Sequence, residues 1–92
     1  MKVVINKCFG GFSLSEKAYE YLGLEWDGFG YEFYHEESRT DERLVKCVEE
    51  LGAEANGDCA ELKVVEIPDD IDWYIHEYDG LESIHEYHRS WY

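Results

Sequence analysis

The chain has 92 residues, of which 45% are hydrophobic and 16% aromatic, so it is long enough for one compact domain, spanning 1–92, and too apolar for a disordered chain. Its 22 acidic residues outnumber its 8 basic ones and give a formal net charge of −14. A field of that sign repels nucleic-acid phosphates and anionic membranes. Direct nucleic-acid binding is therefore disfavoured, and the charge suits a basic partner, a metal cation or a solvated acidic surface.

The three cysteines, Cys8, Cys47 and Cys59, are an odd number without CxxC spacing. This pattern argues against a disulfide framework and against a structural zinc site, and it fits a reducing cytoplasm. The first residues contain too short an apolar run for a signal peptide. No stretch of the sequence approaches the length of a membrane span.

The first element is predicted to be a strand at Lys2–Asn6, because three consecutive β-branched residues form an apolar run there. A loop with two adjacent glycines follows. Ser13 and Glu16 then have the spacing of a capping box, which predicts a helix over 13–22 with Ser13 as its N-cap. Gly23 is a suitable residue to end it.

This strand, loop and helix N-terminus together form a possible anion cradle, with Gly10 and Gly11 in the loop and Lys7 as a positive charge. Neither GxGxxG nor GxxxxGK[ST] is present, however. The alternative interpretation is that the two glycines serve only the geometry of the turn.

In the middle of the chain, alternating side chains over 31–35 predict a second strand. Apolar residues at helical spacing predict a helix over 41–51, with Gly52 just beyond its end. A turn follows, and a third strand is predicted over 60–67. Pro68 marks its end because proline cannot donate to a sheet ladder.

Near the end, Asp79 and Gly80 have the composition of a two-residue hairpin turn. They predict a hairpin of strands 73–78 and 81–88, in which Ile75 lies opposite Ile84. The rival interpretation is a terminal helix that carries Leu81, Ile84, His88 and Trp91 on one stripe.

The order of predicted elements is strand, helix, strand, helix, strand, strand, strand. Two helices can cover one face of a sheet of mixed strand direction. The sequence therefore predicts an α+β fold: a single small domain with a mixed β-sheet, two helices on one face and a C-terminal β-hairpin.

The acidic tail and its histidines invite a metal interpretation, but they lack a metal-ligand pattern. The carboxylates from Asp69 to Glu86 do not have the spacing of a calcium loop. On the predicted hairpin, His76 and His85 share a face while His88 points to the other, which leaves no third ligand. No metal and no cofactor is predicted, and most of these acids are expected to be solvated.

A nucleophilic role is conceivable for Cys8, which lies at a strand end near a glycine loop and a helix N-terminus, a setting that lowers the pKa of a thiol. The nucleophile would need a base, either His35 or His88, brought close by the fold. Without that geometry the thiol is only a small apolar side chain.

The aromatic tail is rich in residue types that dominate binding interfaces, and Arg89 adds a guanidinium that can bind a carboxylate, a phosphate or a base. The alternative is that these residues form core contacts and internal ion pairs. The residues predicted to bind a ligand or a partner are Lys7, Gly10, Gly11, Asp70, Trp73, Tyr78, Arg89 and Trp91.

Three segments, VINKCFGGFSLS, ERLVKCVEELG and VVEIPDDIDWYIHEYDGLESIHEYHRSW, resemble small proteins carried by bacteriophages and prophages. Together they cover more than half of the chain. The resemblance identifies a family and not a reaction. It implies a phage-encoded protein in the cytoplasm of a bacterial host, with an accessory role such as host takeover or counter-defence.

Three functions follow as hypotheses. The first, which we favour, is a non-enzymatic protein that binds a host protein or a small ligand. The second is an acidic mimic of nucleic acid that blocks a DNA- or RNA-binding host enzyme. The third is a small enzyme that uses Cys8 or His35 with carboxylates of the tail. The sequence leaves the partner and the oligomeric state open.

Overall fold

A computed structural model of the chain describes residues 1–86, and the predictions for His88, Arg89 and Trp91 lie outside these residues. The described elements, in order, are β1 (Lys2–Asn6), α1 (Glu16–Leu22), a 3-10 turn (Glu36–Ser38), α2 (Glu42–Leu51), a second 3-10 turn (Gly52–Ala55), β2 (Leu62–Glu66), β3 (Trp73–Tyr78) and β4 (Leu81–Glu86). None of the described helices has the length and apolar character needed to cross a bilayer.

The α+β class and the C-terminal hairpin are confirmed, and within residues 1–86 the strands form two antiparallel pairs rather than one mixed sheet. β1 pairs with β2, and β3 pairs with β4. The hairpin register is the predicted one, with Ile75 opposite Ile84. Its turn has positive φ at Asp79 (50°) and Gly80 (90°), as a tight two-residue turn requires.

The second edge of β1 makes hydrogen bonds that are not strand pairing. The backbone N–H of Val4 donates to the carbonyl of Arg39 at 3.0 Å. The backbone N–H of Asn6 donates to Oε1 of Glu82 at 2.8 Å, and the Asn6 side chain donates to the carbonyl of Gly80 at 2.7 Å. The hairpin is therefore attached to β1 by side-chain hydrogen bonds, which explains why the two sheets do not merge.

One hydrophobic core lies between β1 and the helices. Helix α2 presents the predicted apolar stripe, begins at the N-cap Asp41 and ends at Gly52. The apolar stripe of α2 packs against Val4. Because side chains alternate along β1, Val3 and Ile5 are buried on the opposite face of the strand. The buried core residues are Val4, Phe12, Leu14, Ala18, Tyr19, Leu44, Val45, Cys47, Val48 and Ala55.

Helix α1 begins two residues later than the capping-box pattern predicts. Its N-cap is Ser15, whose Oγ accepts the backbone N–H of Ala18 at 3.0 Å, so the prediction of Ser13 was wrong. The carbonyl of Ser13 accepts the N–H of Gly57 instead, and Leu14 forms a bridge with Asn56. Pairing with a distant turn holds this stretch extended, and the local capping signal does not overcome it.

The strand predicted over 31–35 is absent, because the chain turns back on itself there. Phe33 adopts a positive φ of 65°, which strand geometry excludes and which is uncommon for a residue with a side chain. The carbonyls of Phe33 and Tyr34 are thereby directed onto the guanidinium of Arg39. The loop follows the needs of that buried cation rather than the alternation of its own side chains.

Candidate functional site

A cleft of about 820 Å³ opens between three segments that are distant in sequence. Its walls are the glycine loop 10–16, the loop 26–35 and the turn 57–59. We call it the aromatic cleft, because Trp26, Phe29, Tyr31 and Tyr34 all line it. Its volume lies in the range of about 300–1,000 Å³ that is typical of binding sites.

The aromatic rings of the cleft project into solvent instead of packing into the core. Phe29 is 71% exposed and Tyr31 58% exposed, and their rings are nearly parallel, with centroids 6.5 Å apart. The ring of Tyr34 meets Tyr31 edge to face at 5.7 Å. A contiguous exposed aromatic patch of this kind is typical of a binding surface, whereas isolated exposed apolar residues are ordinary.

A buried tyrosine and an aspartate turn hold the loop 26–35 in place although it has little regular secondary structure. The ring of Tyr19 contacts Trp26 edge to face at 5.1 Å, and its hydroxyl accepts the backbone N–H of Glu32 at 2.9 Å. Asp27 Oδ1 accepts the N–H groups of Phe29 (2.8 Å) and of the following glycine (3.0 Å). The aromatic side chains are therefore presented on a fixed backbone.

The strongest anchor is a buried ion pair between the loop and the hairpin. Arg39 is 2% exposed and Glu82 5% exposed, and they form a bidentate pair with Nη1–Oε1 of 2.6 Å and Nη2–Oε2 of 2.8 Å. Nε and Nη2 of Arg39 also donate to the carbonyl of Tyr34. The guanidinium lies 3.7 Å from the ring centroid of Phe12, a cation–π contact. This one cation joins the cleft to β1 and β4.

The charge at the cleft is negative. Glu16 and Asp58 line it, and among residues 1–86 no Lys or Arg does. Gly10 and Gly11 lie in its wall, as the hypothesis of a glycine-loop site requires, but Lys7 is exposed elsewhere. The aromatic cleft is thus poorly suited to the anion that the glycine loop alone suggests.

Three further predicted contact residues that the structure describes, Asp70, Trp73 and Tyr78, do not line the cleft. Asp70 is exposed in the segment before β3, and Trp73 is half-buried at the start of that strand. Tyr78, which precedes the hairpin turn, is 70% exposed. The hairpin turn that follows Tyr78 lies against the glycine loop, where Gly80 approaches the backbone of Phe9 and Gly11, but the three predicted residues are not part of the cleft wall.

The cysteine and histidine candidates are not brought together into a catalytic pair. Within residues 1–86, no hydrogen bond joins the half-buried Cys8 to His35, and it is Cys59 that lines the cleft with His35. Burial raises the pKa of the Cys47 thiol to about 11, so this group is protonated at neutral pH. Among the described residues, His35 is therefore not placed as a base for Cys8, and the other candidate base, His88, lies outside them.

The two hairpin histidines lie on one face, as predicted. The rings of His76 and His85 have centroids 5.4 Å apart, and Nε2 of His85 hydrogen-bonds Oγ of Ser83 at 2.9 Å. In the described part of the chain, no group of three or more His, Cys, Asp or Glu side chains is placed to hold a metal ion.

The sequence analysis missed the aromatic residues of the cleft, because Tyr31 and Tyr34 fall in the strand predicted over 31–35 and Trp26 and Phe29 fall in none of the predicted elements. A usable signal is present: glycines and aromatic residues alternate over 28–31, and Asp27 stands where an aspartate folds a turn by accepting the N–H groups of residues that follow it. Such a segment is more typical of a functional loop than of a strand.

The carboxyl group of Asp27 should have a pKa below its usual value. The backbone N–H of Gly30, followed by that of Phe29, lowers the pKa of the Asp27 carboxyl from its usual value of 3.8. Because the folded-state pKa is below the unfolded-state one, this stabilisation is present above about pH 4 and is lost as the pH falls through the folded-state value. An NMR titration of the carboxyl carbon measures it, and a midpoint at or above the usual value would contradict the prediction. The Asp27→Asn variant is the control.

Comparison with protein-family models, with curated proteins and with solved structures found no match, so the chemistry of the aromatic cleft is argued from its own geometry.

Proposed function

We propose that this chain is a non-enzymatic binding protein and that the aromatic cleft is the surface that engages its partner. The observation that carries the proposal is the convergence of four exposed aromatic rings on one cleft of about 820 Å³. Aromatic residues contribute most of the binding energy at interfaces, because they bury a large area with few rotatable bonds.

A protein partner fits the cleft better than a small molecule does. A small ligand generally has about 70–90% of its surface enclosed by its site. Here Phe29 and Tyr31 extend outward from the rim, with most of each side chain exposed. Rings in that position suit a surface that covers them from outside.

The setting of the function rests on the sequence resemblance. The segments near both ends that resemble phage and prophage proteins support a phage-encoded accessory protein in the bacterial cytoplasm, acting in host takeover or counter-defence. Its partner in this proposal is a host protein.

Affinity purification of the tagged chain from host cells, followed by mass spectrometry, tests the proposal. The double variant Phe29→Ala/Tyr31→Ala should reduce the recovery of the partner by about tenfold or more, as loss of a central aromatic pair generally does. Tyr21→Ala is the matched control, because Tyr21 is an exposed tyrosine on α1 that does not line the cleft. It should leave the recovery unchanged.

A second variant separates the two candidate surfaces. If Tyr78→Ala abolishes recovery while the double variant at Phe29 and Tyr31 retains it, the hairpin is the binding surface and the assignment to the cleft is wrong. If duplex DNA instead releases the partner, and if none of the aromatic variants changes the recovery of the partner, the chain is an acidic mimic of nucleic acid and our proposal is wrong.

A further inference from the structure

We infer that the aromatic cleft binds arginine side chains presented by a basic, exposed segment of the partner protein. The inference rests on the proposed function and adds the chemistry of the ligand. It follows from the combination of negative charge and exposed aromatic side chains in one cleft.

The charge at the cleft selects for cations. Two carboxylates, those of Glu16 and Asp58, lie in its wall, and no basic residue among the 86 described ones accompanies them. The chain as a whole carries a net charge of −14. The electrostatic potential in the cleft is the sum of the contributions of its own carboxylates and of the rest of the protein, and both are negative. Cations are therefore concentrated in the cleft, and anionic ligands such as nucleotides are repelled.

The rings select for a planar cation. A guanidinium is flat, delocalised and weakly hydrated, so it stacks on aromatic faces more readily than an ammonium does. The same region already does this internally: Arg39 lies over Phe12 at 3.7 Å, and Arg43 lies over Phe33 at 5.4 Å. The outer side chains, Phe29 and Tyr31, are 71% and 58% exposed although their rings are nearly parallel to each other, so aromatic surface remains accessible to a guanidinium.

The size and openness of the cleft favour a peptide segment over a free small cation. A volume of about 820 Å³ exceeds what one side chain fills, and the cleft extends from the glycine loop to the turn 57–59. An extended segment with several arginines can therefore place one guanidinium on the rings and another near Asp58. A polyamine has charge but no planar group to stack.

The test uses the full chain, labelled with ¹⁵N, and two synthetic decapeptides of alternating residues. One peptide contains arginine and glycine, and the other contains citrulline, which keeps the planar shape without the charge. The arginine peptide should shift the amide signals of Gly28, Phe29, Asp58 and Cys59, which line the cleft, and it should bind at least about tenfold more tightly than the citrulline peptide.

Two variants test the assigned contacts. Phe29→Ala/Tyr31→Ala should weaken binding of the arginine peptide about tenfold, and Asp58→Asn about threefold. Tyr21→Ala should have no effect, and thermal unfolding of each variant shows whether it is folded. The signal shifts in the unsubstituted chain test the location of the site even if a variant fails to fold.

The outcomes separate this inference from the proposed function. Spermidine is titrated as a non-planar cation for comparison. The inference is overturned if the citrulline peptide or spermidine binds as tightly as the arginine peptide, or if the signal shifts are confined to residues outside the cleft. If host-protein capture still depends on Phe29 and Tyr31 in that case, the proposed function stands with a different ligand chemistry. If capture is also independent of the two rings, both are wrong.

Discussion

Arg39→Ala is expected to lower the free energy of unfolding by about 3–5 kcal/mol, because it leaves the carboxylate of Glu82 buried without a cation. Glu82 is only 5% exposed and accepts both bonds of the pair. The carbonyls of Val4 and Tyr34 also lose a donor, and each buried polar group left unpaired adds a penalty. A protein of this size has roughly 5–15 kcal/mol of stability in total, so the loss should be evident in urea unfolding.

A double variant distinguishes the buried charge from the lost contacts. Arg39→Met/Glu82→Gln removes both charges, retains apolar cover over Phe12 and keeps an acceptor for the backbone N–H of Asn6, so it should be less destabilised than Arg39→Ala. Lys17→Met is the control, since it removes an exposed ion pair with Glu54 and should leave the stability nearly unchanged. If Arg39→Ala behaves like Lys17→Met, the pair does not hold the loop to the hairpin.

Gly80→Ala should produce the second large effect, about 3 kcal/mol of destabilisation. Gly80 has a φ of +90°, which disfavours a side chain, and an added Cβ would collide with the backbone of Phe9 and Gly11. The hairpin turn therefore cannot remain against the glycine loop. The hydrogen bond from Asn6 to the carbonyl of Gly80 should be lost with it.

Gly23→Ala is the matched control for this substitution. Gly23 also has a positive φ, of +73°, but an added Cβ there would meet no described atom within 4 Å. Only the backbone conformation is penalised, so the cost should be about 1 kcal/mol. Urea unfolding of both variants measures the difference, and equal destabilisation would show that the close approach at Gly80 is unimportant.

The elements that the sequence predicts correctly are those with a strong local signal. Strand β1, at Lys2–Asn6, is a β-branched run, and α2, at Glu42–Leu51, has an N-cap, an apolar stripe and a terminal glycine. Asp79 and Gly80 specify a turn, and that turn determines the hairpin register. In each case the information lies within a few residues of the element.

The aromatic cleft was not predictable in this way, because its conformation depends on distant partners. Tyr19 anchors the loop at Glu32, and Glu82 neutralises Arg39 from 43 residues away in the sequence. The alternation that predicts a strand over 31–35 is real, but the requirement to satisfy a buried guanidinium outweighs it. No local pattern reveals that Arg39, in a polar stretch, is a core residue.

The dependence of the loop 26–35 on Glu82 also affects the order in which parts of the chain fold during synthesis. On the ribosome, Arg39 emerges well before the residue that neutralises it, so the loop 26–35 lacks its main anchor until β4 has been synthesised. Closing so distant a contact is slow compared with forming a helix such as α2. The aromatic cleft is thus expected to be among the last parts of the chain to assemble, and truncation before residue 82 should remove the hairpin anchor of the loop 26–35.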